Sequence, residues 1–196
     1  MNLTYARILI AVITFIWGIE FVLVDEALAD IPPHAFNAWR FLIAAAVLLP
    51  IAIKEWHRDI PWRLTIGLGL LMFIGFATQT AALLYTSVAN VGFITGLNVP
   101  LVPVVALILF RSMASNYDWA AVVIASLGLW ALTSAGEASF DLGATLALVC
   151  AIMFAAHVLY TDRLPNNAPV FKLAFIQLLW VGLLSAGLSL LLLQRY

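Results

Sequence analysis

Charge is scarce in this 196-residue sequence, at 10% of the chain against about 25% in an ordinary soluble domain. What charge there is nearly cancels, nine Lys+Arg against ten Asp+Glu, which excludes a basic field for nucleic acid and an acidic tail. Cysteine occurs once, as Cys150 inside an apolar run, so an internal disulfide framework and a cysteine-based zinc site are both excluded. Its thiol reads as a small buried hydrophobe. No Gly-rich loop ending in Lys-Ser or Lys-Thr is present to cradle a nucleotide phosphate. No His-Glu-x-x-His run, paired aspartates or Ser/His motif points to intramembrane hydrolysis. An enzyme is therefore not expected, and no catalytic residue, metal or cofactor is assigned.

What is present is apolar sequence, 65% of the residues. A bilayer core about 30 Å thick is crossed by roughly 20 apolar residues in a helix. Seven segments reach about that length, at 7–25, 35–53, 64–86, 90–110, 118–134, 142–160 and 171–193. They are continuously apolar and lack the period-two alternation of a membrane barrel, so the expected fold is an all-α integral membrane protein with about seven transmembrane helices. Pro32-Pro33, Pro61, Asn116, Gly136 and Pro165-Asn166-Asn167 mark the connections. Arg7, the apolar stretch after it and Ala27-Leu28-Ala29 have the form of a cleavable signal. Glu20, Asp25 and Glu26 interrupt that pattern, and an uncleaved first span is expected.

Orientation follows from the basic residues. With the N-terminus in the cytoplasm, Arg7, Lys54, Arg58, Arg63, Arg111, Arg163 and Lys172 fall on or near the inside. Arg40 and Arg195 are left towards the outside, where the loops carry Asp25, Glu26, Asp30, Glu137 and Asp141. This argues against a seven-helix receptor or a retinal protein, which place the N-terminus outside; Lys172 also lies at the mouth of its span, not at mid-membrane. Trp56, Trp62, Trp119 and Tyr196 are expected at the interfaces, setting helix depth.

Sliding the chain against itself by 137 residues aligns the first two spans with the last two. Leu9 falls on Leu146, Val12 on Val149, Trp17 on Phe154, Asp25 on Asp162, Pro32 on Pro169 and Leu42 on Leu179. The polar groups inside the apolar runs coincide too: Glu20 with His157 and Arg40 with Gln177. Five spans separate the copies, an odd number, so the second copy is expected to cross the membrane in the opposite sense. Inverted repeats of this kind support alternating access around a site near the midplane.

Several runs resemble an EamA-type permease of the drug/metabolite transporter superfamily: Trp17-Gly18 with Phe21, Arg40-Phe41-Leu42, and Ala82 through Ser87 leading to Asn90 through Leu97 and Pro100 to Pro103. Phe154 to His157 and Ala174 to Gln177 resemble the start of that family's second repeat. The resemblance implies about ten helices in two repeats. Residues 1–136 would then form the first five-helix repeat and 137–196 the start of an incomplete second one. One departure lies in the fourth connection, which reads Arg111-Ser112-Met113-Ala114-Ser115 where the family often has Glu followed by a basic residue.

Glu20 is the sharpest candidate site residue, because an ionised acid inside a span costs several kcal/mol, on the order of 3 or more, unless paired or hydrated. It is expected either to couple protons or attract a cationic group, or to sit wet at the outer interface near Asp25. Arg40 is expected to pair with Glu20, to bind an anion, or to act as an interfacial anchor. His157 reads as a hydrogen-bonded packing group or a titrating one. In the fourth segment Gly92-x-x-x-Gly96 permits close helix approach, Thr95 and Asn98 add polar groups, and Pro100 and Pro103 invite a kink. Gln79 and Thr80 are expected on the same cavity, with Trp17, Phe21 and Tyr85 as apolar or cation–π surface.

The function these features imply is a secondary transporter moving small metabolites or drugs across the inner (plasma) membrane by alternating access. Its expected partners are the lipid bilayer, a small-molecule substrate, and a second copy or completing chain. The alternative is a truncated or accessory membrane fragment without transport activity of its own, suggested by the end at Gln194-Arg195-Tyr196 directly after the last span.

Overall fold

A computed structural model describes residues 3–112, 115–134 and 141–193. Gly136, Glu137, the division proposed at 136/137, Met113, Ala114 and the terminal Gln194-Arg195-Tyr196 lie outside the described residues. Among those described, the regular structure is helical throughout: α1 (Leu3–Ala27), α2 (Pro33–Ala52), a 3₁₀ turn (Ile53–Glu55), α3 (Trp62–Ala82), α4 (Val88–Gly96), α5 (Asn98–Phe110), α6 (Asn116–Ser134), α7 (Leu142–Thr161) and α8 (Val170–Leu193). Five helices are long and apolar enough to cross a membrane, or six when α4 and α5 are taken as one bent span. α6 opens with Asn116, Tyr117 and Asp118 and is not among them.

The local sequence explains three of the helix starts. Pro33 opens α2, where the missing N–H is unneeded and φ is already set. The Ser87 hydroxyl accepts from the Asn90 amide to cap α4, and the Asp141 carboxylate accepts from the Ala144 amide at 2.8 Å to cap α7. The segment expected as one helix over 90–110 is two helices, broken at Leu97 with a 45° bend. The break falls just before Pro100, which cannot supply the next backbone donor.

The packing interleaves the early and late helices. α3 lies against both α7 and α8, and α2 lies along α8. Hydrophobic burial drives little between helices in lipid, so close approach through small residues matters. At Gly182 an added Cβ would stand 2.8 Å from the Leu42 side chain and 3.1 Å from its backbone nitrogen, which places α8 directly on α2. At Gly143 it would stand 2.8 Å from the Ala82 carbonyl, fixing α7 on the end of α3. α1 is peripheral: little of its apolar length is buried, and its contacts are chiefly with α4.

One end of the α2–α8 pair carries a polar clamp. Glu55 accepts from the backbone amides of Phe171 and Lys172 at 2.9 and 3.2 Å, capping α8 from another element. Lys172, almost fully buried, donates to the carbonyls of Trp56 and Arg58 at 2.9 and 2.6 Å. Arg58 donates to the Asn167 carbonyl. Trp56, expected only as an interfacial anchor, thus has its carbonyl in the clamp and its ring edge-on to Phe175.

Candidate functional site

A cavity of about 380 Å³ opens where α1, α2, α3, the α4–α5 break and α7 converge. Its wall is mostly apolar, from Trp17, Phe21, Val24, Phe76, Leu83 and Phe154, and its charged groups are Glu20 and Arg40. Arg40 Nη1 donates to Glu20 Oε1 at 2.5 Å, joining α2 to α1. A charge-assisted pair of this kind lowers the cost of holding either ion in a span.

The two partners are held unequally. The guanidinium of Arg40 lies 4.5 Å from the Phe41 ring centre, 5.0 Å from Phe76 and 5.6 Å from Phe36, an arrangement in which cation–π attraction replaces part of the lost hydration. Its Nε and Nη2 are buried and make no hydrogen bond. The Glu20 side chain is 39% exposed against 20% for Arg40, so the carboxylate is the more open member of the pair. Beneath them Asn37, fully buried, donates to the Phe76 carbonyl and accepts from the Thr80 hydroxyl at 3.1 Å. That bridge fixes α2 against α3 and holds Phe76 under Arg40.

Trp17, Glu20, Arg40, Gln79 and Asn98 all reach this one cavity, as do Thr80 and Phe21. His157 does not. Its Nε2 lies 2.7 Å from Gln177 Oε1, joining α7 to α8 away from the cavity wall. Tyr85 is also off the wall, half-exposed beyond the end of α3. Gly92 and Gly96 depart from the helix-packing pattern: a Cβ on either would meet nothing within 4 Å, and both line the cavity. No neighbouring helix uses that notch among the described residues. The aromatic enclosure of Arg40 was only half visible in the sequence, since Phe36 and Phe41 flank it locally while Phe76 arrives from another helix. Asn37 gave no signal beyond being a polar residue in a span.

The pattern of the EamA-like transporter family matches residues 4–134. A protein of Archaeoglobus fulgidus described as "Uncharacterized transporter" is 32% identical over 182 residues, which is 93% of this chain and 57% of that protein. The chain therefore spans less than two thirds of that relative's length. No solved structure matches it. With several apolar helices able to cross a bilayer and a family pattern over the first 134 residues, this chain is a multi-pass membrane protein that belongs to the EamA-like transporter family.

Proposed function

We propose that this chain supplies the first repeat and the opening helices of the second in a secondary carrier of small organic molecules, working by alternating access with its N-terminus in the cytoplasm. The observation that carries this reading is the cavity itself: an apolar chamber between several helices holding one ion pair whose acid is the more open partner. A site that is mostly apolar with a few placed polar groups suits a small amphiphilic molecule. Glu20 is the group for proton or cation exchange, and Arg40 is its fixed counter-ion. Trp17, Gln79 and Asn98 supply contact surface, and no catalytic step is assigned.

The repeat has support in contacts. Glu20 meets Arg40, and the residues 137 positions later, His157 and Gln177, meet each other in the same way. Leu42 packs on Gly182 of α8, while Leu179, its counterpart, packs on the cluster that holds Ala45, the counterpart of Gly182. Matched placements of this kind at the α2–α8 seam are what a two-fold relation between the two helices would produce. Seven spans in all, with α6 as the fifth, make the copies opposite in sense.

The test is Glu20→Gln in proteoliposomes, with a panel of small metabolites and drugs at several pH values. The expected result is normal insertion, loss of transport, and loss of its pH dependence. Wild-type pH-dependent transport by that variant would remove Glu20 from the mechanism.

A further inference from the structure

The Glu20–Arg40 pair is neutral as a whole, yet it turns only its negative end to the cavity. Of the three guanidinium nitrogens, Nη1 alone has a partner, and that partner is Glu20; Nε and Nη2 are buried without a hydrogen bond. Phe36, Phe41 and Phe76 enclose the rest of the group. An incoming anion would have to compete for one nitrogen with a carboxylate already on it. Glu20 is the reverse case. Arg40 takes Oε1, so Oε2 makes no hydrogen bond among the described residues, and the side chain is 39% exposed on the cavity wall. A carboxylate accepts from more than one donor, and this one has an oxygen free to do so.

The rest of the wall favours the same sign of guest. Trp17, Glu20 and Phe21 stand at i, i+3 and i+4 on α1, so one helix face brings two rings and the acid to the cavity together. Aromatic faces carry the negative part of the ring quadrupole and attract a cation, tryptophan most strongly. Gln79 and Asn98 add carboxamides, which donate and accept alike and sort neither sign. Among the described residues of the wall, Arg40 is the only cation. An anion would thus meet a carboxylate and ring faces, and its lost hydration would go unreplaced in a mostly apolar chamber. A zwitterion would satisfy its ammonium on Glu20 and leave its own carboxylate in that same position. Gly92 and Gly96 on α4 keep open space where side chains would stand, which is room for an apolar body.

We propose that the cavity selects hydrophobic organic cations, protonated amines with an aromatic or apolar body, and rejects anions and amino-acid zwitterions. The ammonium donates to Glu20 Oε2 while Arg40 keeps Oε1, and the body lies against Trp17 and Phe21. Arg40 then orients the acid and is not itself a point of attachment. Its charge is already met by Glu20 and three ring faces, so a guest at Oε2 answers first to the nearer carboxylate. This deepens the carrier reading and rests on it for the occupant being the transported molecule, whereas the charge preference belongs to the cavity in either case.

The test is calorimetric titration of the full chain in detergent with four probes of similar shape: phenethylammonium, phenethyl alcohol, hydrocinnamate and phenylalanine. The ammonium is expected to bind at least roughly tenfold tighter than each of the others. Hydrocinnamate or phenylalanine binding as tightly as the ammonium overturns the proposal, and so does an absence of ammonium binding at millimolar concentration. This wild-type series decides the charge preference even where a substitution at Glu20 unfolds the chain. Glu20→Gln should bring the ammonium down to the level of the alcohol, and Glu20→Asp should keep it above; a folded Glu20→Gln that retains the preference overturns the role of the acid. Trp17, 60% exposed, is open to substitution without loss of packing. Trp17→Leu should weaken the ammonium by roughly threefold and the alcohol by less, and equal losses overturn the role given to the ring. The same probes are then followed into proteoliposomes against protein-free liposomes. Selective binding of the ammonium without its flux keeps the charge preference and removes the carrier reading. Faster flux of phenylalanine or hydrocinnamate keeps a carrier and overturns the preference.

Discussion

At the scale of single residues, the cavity depends on which glycines touch a neighbour and which do not. At Gly75 an added Cβ would lie 2.4 Å from the Phe154 ring, which is itself packed at 5.0 Å against Phe76. Phe76 in turn lies under the Arg40 guanidinium. Gly75→Ala is therefore expected to lower stability by about 1–3 kcal/mol through overpacking, and to disturb the Glu20–Arg40 pair through the displaced rings. Gly18→Ala, with nothing within 4 Å, should leave thermal unfolding in detergent unchanged. Equal melting temperatures for the two variants would refute this contrast. The charged pair was legible in the sequence because a charge in an apolar run is conspicuous and needs a partner. The difference between packed and open glycines was not, since spacing along one helix carries no information about what faces it.

At the scale of elements, the clearest device is the exchange of charge between the end of α2 and the start of α8. Glu55 places an anion on the exposed amides that begin α8, where the helix dipole favours it, and Lys172 places a cation on the carbonyls of the turn that follows α2. Glu55→Ala removes the acceptor for two backbone amides and is expected to cost about 1–2 kcal/mol, read as a lower melting temperature. Glu55→Gln, which keeps an acceptor oxygen, should lose less. A second element-scale expectation concerns the bend between α4 and α5. Pro100→Ala restores a donor for the Gly96 carbonyl, so spin labels on α4 and α5 should report a bend smaller than the present 45°. An unchanged separation would show that Leu97, not the proline, sets the break. Helix positions were readable from hydropathy and the start of α2 from Pro32-Pro33, while the caps at Ser87 and Asp141 emerge only from the structure. The clamp was not, because Glu55 and Lys172 are 117 residues apart and each looks like an ordinary loop charge.

At the scale of the whole molecule, the two proposed repeats are bound to each other more than each is bound within itself. α7 packs on α3, α4 and α5, and α8 packs on α2 and α3, so the late helices are held chiefly by early ones. The proposed correspondence at 137 residues pairs α2 with α8 in sequence, but it carries no information on whether they lie side by side, as they do where Leu42 seats on Gly182. Such interleaving has a direct consequence for assembly. Residues 1–136 and 137–196, expressed together as separate chains, are expected to copurify, because the contacts joining them do not depend on the link between α6 and α7. The shorter chain expressed alone should insert poorly or be degraded, since the faces of α7 and α8 that carry Ala147, Cys150, Ala151, Leu173 and Val181 are buried only in the presence of the other helices. Replacing Gly182 or Gly143 by Leu in the shorter chain should abolish copurification, as both lie against groups of the longer one. Retention of the complex by both variants would mean that the α2–α8 and α3–α7 seams are not what joins the halves.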